Sequence, residues 1–545
     1  MRTVTAVLKY LSNGGVKYLF GIPAGSVNAF FDELNDFPEI IPIIAKHETS
    51  AGYMAGTYAQ ETGSLAVCMG SSGPGATNFI TGAANAMREH IPVLFITGNV
   101  PVQTIGLNAS QELDAEPLFR PVTKYSVTVK SPDCVMDEVS HAVEVALSDL
   151  PGPVHVAIPI DVQLSSVVNQ EIPVFPIRKA IEPNIALVKQ AALKLARVKQ
   201  GIIFVGQGAR EAIHEVIEAS RILGWPIVTT PQAKGLIPES TPNVKGVFGF
   251  AGHDEASRVV EQEDIEAILI VGSSLGETAT SNYNNKITEN RLSVQIDIDP
   301  SVFDRLYKVE IPIYGDAAMS LKFMIHEWKA LELFPRLSEF VASQPELSIS
   351  DEFNTQNTLL QLQQYLPSTT RYTVDIGEFM SYVIHHMSVM SPKSFHINVH
   401  FGGMGVAIGS AIGMKLADPN SPVACITGDG CFFMHGFDIL TAKEHHLQIL
   451  FVVFNNARLG MVHQGHVLQY GRSHACFQQQ PMSFAEMARG MGIPAARIEQ
   501  LDDLTSDKVL GLLQEKGPSL VEIALVDDSV PPMGDRVKFL SSFGS

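Results

Sequence analysis

The stretch ACITGDGCFFMHGFDILTAKEHHLQILFVVFNNARLGMV, residues 424–462, decides the fold of this chain. Two apolar runs, 423–427 and 447–454, flank a helix-like segment at about 434–445. This is a β–α–β pattern, whose crossover is almost always right-handed, so both strands run in the same direction. Their carboxyl ends therefore share one edge of a sheet, the edge at which open α/β sheets bind ligands.

Polar side chains stand where each of these strands ends. Asp429 follows the first strand, and Asn455 and Asn456 follow the second. Taken alone, Gly-Asp-Gly is most simply a turn and Asn-Asn a strand terminator. Together, with the helix between them, they offer carboxylate and amide oxygens without nearby His or Cys, a combination that suits Mg²⁺. The pattern therefore predicts a magnesium site at this sheet edge.

The rest of the chain repeats the alternation of strand, turn and helix. The pattern predicts an α/β fold of three doubly wound, mainly parallel-sheet domains, at residues 1–165, 185–325 and 355–530. The Pro-bearing IPVFPIRKAIEPN and the mixed stretch ASQPELSISDEF are predicted to connect them. A length of 545 residues agrees with several domains, because single cores stop growing beyond about 250–300 residues.

Composition argues against several classes of partner. The chain is 46% hydrophobic and 17% charged, as a well-packed globular protein is, and its formal net charge is −19. Nucleic-acid and anionic-membrane partners are not expected, because both require basic surfaces. No apolar run approaches the roughly 20 residues of a membrane helix, and the N-terminus lacks a signal-peptide core. Five scattered cysteines form no C-x-x-C pair, so a cytoplasmic location is expected.

The Gly-Asp-Gly at 428–430, followed a helix and a strand later by Asn-Asn at 455–456, resembles the signature of thiamine diphosphate enzymes. The resemblance implies that Asp429, Asn456 and the backbone carbonyl of Arg458 hold Mg²⁺, which binds the cofactor's diphosphate. It implies pyrimidine-binding, central and diphosphate-binding roles for the three domains, in chain order.

The glycine-rich segment HFGGMGVAIG extends this resemblance. A methionine is usually core filler, but here the resemblance implies that Met404 supports the bent cofactor. Gly402 is then placed to bond the aminopyrimidine ring. The other cofactor-binding residues that the resemblance implies are Gly377, Gly428, Asp429, Gly430, Cys431, Asn456, Gly460 and Met461.

Glu48 belongs to a second, independent motif, AKHETSAGYMAGTYAQETG. It follows a strand and precedes an Ala/Gly-rich helix, where the helix macrodipole alone would explain an acidic residue. The resemblance implies instead that Glu48 bonds the aminopyrimidine and promotes loss of the proton from the thiazolium carbon. It further implies a site between the first domain of one subunit and the third of another, and hence a homodimer or homotetramer.

Within this family the chain is similar to the large catalytic subunits of acetolactate (acetohydroxyacid) synthase, through GPGATN, ITGNV, SQELDAEPLFRPVTKYS, GMG and NNARLGMVHQ. Gln111 matches a glutamine that contacts substrate in those enzymes. Two expected aromatic residues are replaced, one by Ser110 and one by Gly465, which follows Gln464. The loss of pocket wall predicts a different or bulkier acceptor. The central SSLGETATSNYN replaces a segment near the flavin of those enzymes, so FAD is possible but not favoured.

The resemblance implies a decarboxylative carboligase that uses thiamine diphosphate and Mg²⁺ to join a pyruvate-like 2-oxoacid to a second carbonyl compound. One alternative is a simple 2-oxoacid decarboxylase that releases an aldehyde. Another is a non-catalytic binding or regulatory relative, which would have no need of Glu48, Asp429 and Asn456 together. A phosphoryl-transfer enzyme is disfavoured because the P-loop Lys-Ser/Thr ending is missing from GSSGPGATN.

Three further motifs suggest other functions, each on weaker evidence. The pairs His396/His400 and His463/His466 suggest zinc, but no Glu or Cys completes the usual pattern. Asp297 and Asp299 in QIDIDP could act as paired carboxylates, although the end of a strand favours a turn. VGQGAR, residues 205–210, could bind an adenine nucleotide, but a lone glycine turn is weak evidence.

Overall fold

The computed structural model describes residues 1–166, 171–333, 349–533, 536–537 and 541–542; residues 342–348 of the second predicted connector lie outside these ranges. Within the described residues lie three six-stranded sheets in which every strand pairing is parallel. The inner strands of each sheet are buried along all or nearly all of their length, which is why their sequences are largely continuous apolar runs. The predicted α/β fold with three doubly wound parallel sheets is confirmed.

The first sheet has the strand order β2-β1-β3-β4-β6-β5. Its strands are β1 Tyr18–Gly21, β2 Ile41–Ile44, β3 Ala66–Gly70, β4 Val93–Asn99, β5 Tyr125–Thr128 and β6 Val154–Pro159. The helices of this part of the chain are α1 Thr3–Asn13, α2 Asn28–Glu33, α3 Glu48–Thr62, α4 Pro74–Arg88, α5 Glu116–Phe119, α6 Val135–Ala146 and α7 Ile160–Leu164.

The second sheet has the order β12-β11-β10-β7-β8-β9, which is the order found in dinucleotide-binding α/β folds. Its strands are β7 Gly201–Val205, β8 Ile227–Thr229, β9 Val244–Val247, β10 Ala267–Val271, β11 Leu292–Asp297 and β12 Ile311–Tyr314. Its helices are α8 Ile185–Leu195, α9 Ile213–Leu223, α10 Asp254–Glu261 and α11 Ala317–Ala330.

The third sheet, β14-β13-β15-β16-β18-β17, repeats the strand order of the first. Its strands are β13 Arg371–Val374, β14 Phe395–Ile397, β15 Val423–Gly428, β16 Ile449–Asn455, β17 Ala495–Ile498 and β18 Ser519–Ala524. Its helices are α12 Thr355–Tyr365, α13 Glu378–His386, α14 Val406–Ala417, α15 Asp429–His435, α16 Ile439–Glu444, α17 Gly460–Tyr470, α18 Phe484–Gly490 and α19 Ser506–Leu513. No helix among the described residues combines the length and apolarity needed to cross a membrane.

Helices α3 and α14 join the first unit to the third. The Thr57 hydroxyl donates to the Ser410 hydroxyl at 2.8 Å across this contact. A Cβ added at Gly409 would lie 2.9 Å from the Ser50 carbonyl oxygen, so the backbones approach at a distance that only glycine permits. The small Gly and Ala residues of both helices therefore allow the two helices to pack closely together.

The glycine turn after β7 has a structural explanation. A Cβ added at Gly208 would lie 2.8 Å from the Gly272 Cα, because the turn packs directly on the loop after β10. Arg210 points away from this turn and donates to Glu61 at 2.8 Å, and Arg371 donates to the same carboxylate oxygen at 2.6 Å. This buried cluster of Glu61, Arg210 and Arg371 links all three units, so the Arg210 side chain stabilises the contact between the domains.

Asp297 and Asp299 close the turn that ends β11. The backbone N–H of Asp299 donates to Asp297 Oδ1 at 2.9 Å, and the N–H of Ser301 donates to Asp299 Oδ1 at 2.9 Å. Burial raises the pKa of Asp297 to about 6. Both carboxylates accept backbone hydrogen bonds of the turn, as expected at the end of a strand.

His155 in β6 makes the first unit sensitive to acid. Its ring stacks on Phe119 and is hydrogen-bonded to Thr97 and Ser126, each at 2.9 Å. Burial lowers its pKa to about 3. Because the unfolded chain takes up this proton near pH 6.5 and the folded chain does not, the stability that the neutral ring contributes is lost as pH falls below that value.

We expect His155→Gln to be less stable than wild type at pH 7 but less sensitive to acid. The difference in free energy of unfolding between the two proteins should shrink by about 1.4 kcal/mol per pH unit between pH 6.5 and pH 4. Urea denaturation followed by circular dichroism at several pH values measures it. A difference that stays constant with pH would contradict the assignment.

Candidate active site

The carboxyl ends of β15 and β16 lie side by side, with Gly428 opposite Phe454 in the register. Asp429 begins α15, so its carboxylate stands at the end of the strand. Oδ1 accepts from the Gly430 N–H at 2.7 Å, and Oδ2 accepts from the Arg458 N–H, just past β16, at 3.3 Å. Burial raises the pKa of Asp429 to about 6. The two strand ends meet, as the β–α–β pattern predicts.

The two asparagines that follow β16 face different surroundings. Asn455 donates to Glu522 Oε1 at 2.7 Å and is held within the sheet. Asn456 faces the Asp429 side, where its Oδ1 accepts from the Arg458 N–H at 3.2 Å. Successive side chains of a strand point to opposite faces, so only one of the pair can serve the site.

Glu378 is a site residue that the sequence analysis missed. Its Oε1 accepts a short hydrogen bond from Asn456 Nδ2, and its Oε2 is buried without a hydrogen-bond partner in the described part of the chain. A Cβ added at Gly460 would collide with this carboxylate. Burial raises the pKa of Glu378 to about 7. Because Glu378 Oε1 accepts from Asn456 Nδ2, Glu378 fixes the Asn456 amide with its Oδ1 directed away from this carboxyl group.

A cavity of about 250 Å³ lies at this sheet edge. Every predicted cofactor- or metal-binding residue of the third unit lines it: Gly377, Gly402, Met404, Gly428, Asp429, Gly430, Cys431, Asn456, Arg458, Gly460 and Met461. All its described lining residues lie between Thr355 and Leu525. Within one chain, therefore, the first unit contributes no described residue to the cavity wall.

Asp375 holds the glycine-rich turn that carries Met404. Its Oδ1 accepts from the Ala407 N–H at 3.1 Å and its Oδ2 from the Thr427 hydroxyl at 2.7 Å. Burial raises the pKa of Asp375 to about 7. Gly402 adopts φ +69°, a conformation that favours glycine. The turn and the end of β15 are thus fastened to one another through a single buried carboxyl group.

Glu48 is the first residue of α3 and only 8% exposed. Its Oε2 accepts from Asn78 Nδ2 at 2.9 Å, and a Cβ added at Gly75 would lie 3.3 Å from its Oε1. Both partners belong to GSSGPGATN, so this loop positions the Glu48 carboxylate. Glu48 does not line the cavity of its own chain.

The predicted substrate-pocket residues fall in two places. Ser110 and Gln111 are exposed on a loop of the first unit, where the Gln111 carbonyl accepts from the Ser72 hydroxyl at 2.8 Å. Gln464 is buried on α17 and donates to the Ser529 carbonyl at 3.3 Å. A Cβ at Gly465 would meet no described atom within 4 Å, so a larger side chain would have room there. One chain does not bring the two groups together in the cavity.

The predicted histidine pairs do not form a metal site. No group of three His, Cys, Asp or Glu residues within the described ranges could hold a metal ion. His400 lies 3.3 Å from the buried Glu89, and burial lowers the pKa of His396 to about 4. His466 packs edge-on against Phe477 at 4.9 Å. The described residues therefore give no support to the disfavoured zinc alternative.

Comparison with known proteins now identifies the family. Residues 1–118, 188–324 and 375–523 match, in that order, the N-terminal TPP binding domain, the central domain and the C-terminal TPP binding domain of thiamine pyrophosphate enzymes. The probable acetolactate synthase large subunit of Methanocaldococcus jannaschii is 31% identical, over 98% of this chain and 93% of that protein. The chain belongs to the thiamine pyrophosphate enzyme family.

Other thiamine pyrophosphate enzymes match along nearly the whole chain. Acetolactate synthase isozyme 1 large subunit of Escherichia coli is 28% identical, over 97% of this chain and 94% of that protein. The X-ray structure of a candidate thiamin diphosphate-dependent enzyme from Mycobacterium smegmatis superposes with a TM-score of 0.84 at 21% identity, covering 97% of this chain and all of that one. This structural similarity shows that the fold is shared.

The cavity has the chemistry that thiamine diphosphate requires of its diphosphate site. Asp429 is buried with no Lys, Arg or His within ion-pair distance among the described residues, and an oxygen of Glu378 lacks any partner there. Such oxygens are favourable in a buried site when a hydrated cation is bound. A Cβ added at Gly428 would lie 2.8 Å from Phe379, so this strand end has no room for a side chain and only its backbone borders the cavity. The residues present fit the cation and the cofactor.

Proposed function

We propose that this chain is a thiamine diphosphate- and Mg²⁺-dependent carboligase that joins a pyruvate-like 2-oxoacid to a second carbonyl compound with loss of CO₂. The relatives named acetolactate synthase support this. The observation that carries it is that the cofactor cavity adjoins a larger cleft of about 790 Å³, with which it shares Ile376 and Met461. A simple decarboxylase needs room for one substrate, whereas a carboligase must admit a second.

In this proposal Asp429, Asn456 and the Arg458 carbonyl hold Mg²⁺, and segments 1–165, 185–325 and 355–530 are the pyrimidine-binding, central and diphosphate-binding domains. Thiamine diphosphate, when bound there, would supply a carbon nucleophile and an acceptor for the electron pair that decarboxylation leaves. Glu48, whose carboxylate Asn78 holds in place, would take part in the proton transfer that generates this nucleophile. Apolar residues of the cavity, including Met404 and Leu459, exclude water from the reacting atoms.

We further propose that two chains complete each site, in a homodimer or homotetramer. Glu48 lies outside the cavity of its own chain, although its role requires contact with the cofactor. Phe433, Met434 and Phe437, which follow Asp429 closely in the chain, are 47%, 56% and 58% exposed. Such a group of large apolar side chains is typical of an interface.

A subunit-mixing experiment tests the two-chain site. We expect Glu48→Gln and Asp429→Ala homomers to be nearly inactive. After random subunit exchange, each mixed pair would hold one site with both native residues, so about a quarter of wild-type activity should return. Native mass spectrometry of differently tagged chains verifies the exchange. No recovery in verified mixtures would show that both residues act within one chain.

Glu378 gives a prediction that is independent of turnover. Glu378→Ala removes the acceptor that orients Asn456, and we expect the affinity for Mn²⁺ in the presence of thiamine diphosphate to fall about 10- to 100-fold, as for other partners of metal ligands. Glu378→Gln, whose carbonyl oxygen can still accept from Asn456, should stay within a few-fold of wild type. Electron paramagnetic resonance titration measures both. Equal affinities for Ala and wild type would remove Glu378 from this role.

Product analysis distinguishes the carboligase from its alternatives. Purified protein with thiamine diphosphate, Mg²⁺ and pyruvate is followed by NMR while aldehydes and 2-oxoacids are added in turn. An acetohydroxyacid or mixed acyloin supports the proposal. Acetaldehyde alone would favour the simple decarboxylase, and failure to bind the cofactor would favour a non-catalytic relative.

A further inference from the structure

The cleft that adjoins the cofactor cavity is built by all three units and the C-terminal segment. Arg88 of the first unit, Leu275 and Arg305 of the second, Val399 of the third and Arg536 line it. Its volume of about 790 Å³ falls in the range of small-molecule sites, roughly 300–1,000 Å³. The cleft shares Ile376 and Met461 with the cofactor cavity, so a molecule bound in it lies beside that cavity.

Two guanidinium groups in the cleft form no ion pair with any described residue. Arg88, the last residue of α4, forms no hydrogen bond or ion pair with any described residue. Arg305 donates to the Ser274 carbonyl at 2.7 Å, and its charge partly offsets the raised pKa of the buried Asp297, although the two side chains form no ion pair. Arg536, by contrast, pairs with Glu277 at 2.9 Å, so these two charges offset each other. In a chain with a net charge of −19, a cleft lined by three arginines and one acidic residue, Glu277, is locally positive.

Much of the remaining wall of the cleft is apolar, including Phe250, Leu306 and Met380, while Thr278 and His400 add polar groups. Guanidinium groups bind carboxylate, phosphate, phosphonate and sulfonate through paired hydrogen bonds. Neither Arg88 nor Arg305 lines the cofactor cavity, so an anionic group that they bind lies outside it, apart from a carbonyl that reacts inside it. The carboxylate of the donor 2-oxoacid cannot be this group, since it must lie at the cofactor, where it leaves as CO₂.

We propose that Arg88 and Arg305 select an acceptor that carries an anionic group remote from its reacting carbonyl. The inference rests on the proposed carboligase function. The bond between the donor's carbonyl carbon and its carboxylate breaks, that carbon bonds to the acceptor's carbonyl carbon, and the acceptor's oxygen takes up one proton. The overall reaction is 2-oxoacid plus acceptor plus H⁺ giving the hydroxyketone and CO₂, with no oxidant or reductant.

A matched pair of acceptors tests this selectivity. With pyruvate as donor, kcat/KM for 4-oxobutanoate should exceed that for its neutral isostere 4-oxobutanamide by roughly 10- to 100-fold, the value of one or two charge-assisted hydrogen bonds. Arg88→Gln and Arg305→Gln should each reduce this ratio, mainly by raising KM for 4-oxobutanoate. Arg221→Gln, at an exposed arginine on α9, should leave the ratio unchanged. Equal use of both acceptors by wild type would overturn the proposal.

Direct binding separates failure of this inference from failure of the carboligase proposal. Calorimetry of the holoenzyme with 4-oxobutanoate needs no turnover. Binding that weakens in both arginine variants supports the anion site even if no product forms. Absent binding overturns the inference, even if pyruvate is ligated to neutral acceptors. Copurified FAD that is lost from both arginine variants would overturn it as well, since a flavin would then occupy the cleft.

Discussion

Glu48→Gln should bind thiamine diphosphate as wild type does while kcat falls by about 10²- to 10⁴-fold, the usual contribution of a positioned acid–base group. The amide has the size of the carboxylate, and its oxygen can still accept from Asn78 Nδ2, which lies 2.9 Å from Glu48 Oε2. It cannot exchange a proton. Steady-state kinetics, together with the cofactor content of the purified protein, separates the loss of chemistry from a loss of binding.

Glu444→Gln is the matched control for this variant. Glu444 pairs with Lys46, two residues before Glu48, at 2.7 Å, and it is 52% exposed. Surface ion pairs contribute little to stability, so this control should be kinetically normal. If Glu48→Gln retains wild-type turnover, the carboxylate has no catalytic role and only begins α3.

The fold and the core of the site are predictable because they depend on local order in the sequence. The strand–helix–strand arrangement around Asp429 and Asn456 requires the two strand ends to meet, and β15 and β16 do pair directly. The alternation of side chains along a strand also explains why Asn456 faces the site while Asn455 faces Glu522. These inferences require only the direction in which the strands run and the two-residue alternation of side chains along each strand.

Glu378, Asp375 and Asn78 could not be found in this way. Each contacts residues that are distant in sequence. Glu378 contacts Asn456 and lies beside Gly460, and Asp375 is hydrogen-bonded to Ala407 and Thr427. Asn78 is hydrogen-bonded to Glu48. In the segment VDIGEFM both acids look like turn and helix-start residues. One signal was present, since two acidic residues close to a predicted diphosphate site are costly unless hydrogen-bonded or beside a cation. The arrangement of subunits also lay beyond the sequence, because no pattern within one chain specifies which copy supplies Glu48.

Asp429→Ala should reduce the Mg²⁺-dependent affinity for thiamine diphosphate by at least about 100-fold, because it removes the one charged ligand that we propose for the cation. The variant should nevertheless fold. The buried carboxylate of Asp429 has a raised pKa, which means that its charge is a cost to the protein without cofactor. The melting temperature of the cofactor-free variant should therefore equal or exceed that of wild type.

The change in melting temperature on adding ligand distinguishes a cation site at Asp429 from a simple turn. Adding Mg²⁺ and thiamine diphosphate should raise the melting temperature of wild type and leave that of Asp429→Ala nearly unchanged, because a ligand stabilises a protein only as far as it binds the folded state. Asp507→Ala, at an exposed acid in the first turn of α19, should respond as wild type does. Asp429→Asn, which keeps an oxygen ligand but not its charge, should fall between the two. If Asp429→Ala is stabilised as strongly as wild type, the cation is held elsewhere and the junction of β15 and β16 is only a turn.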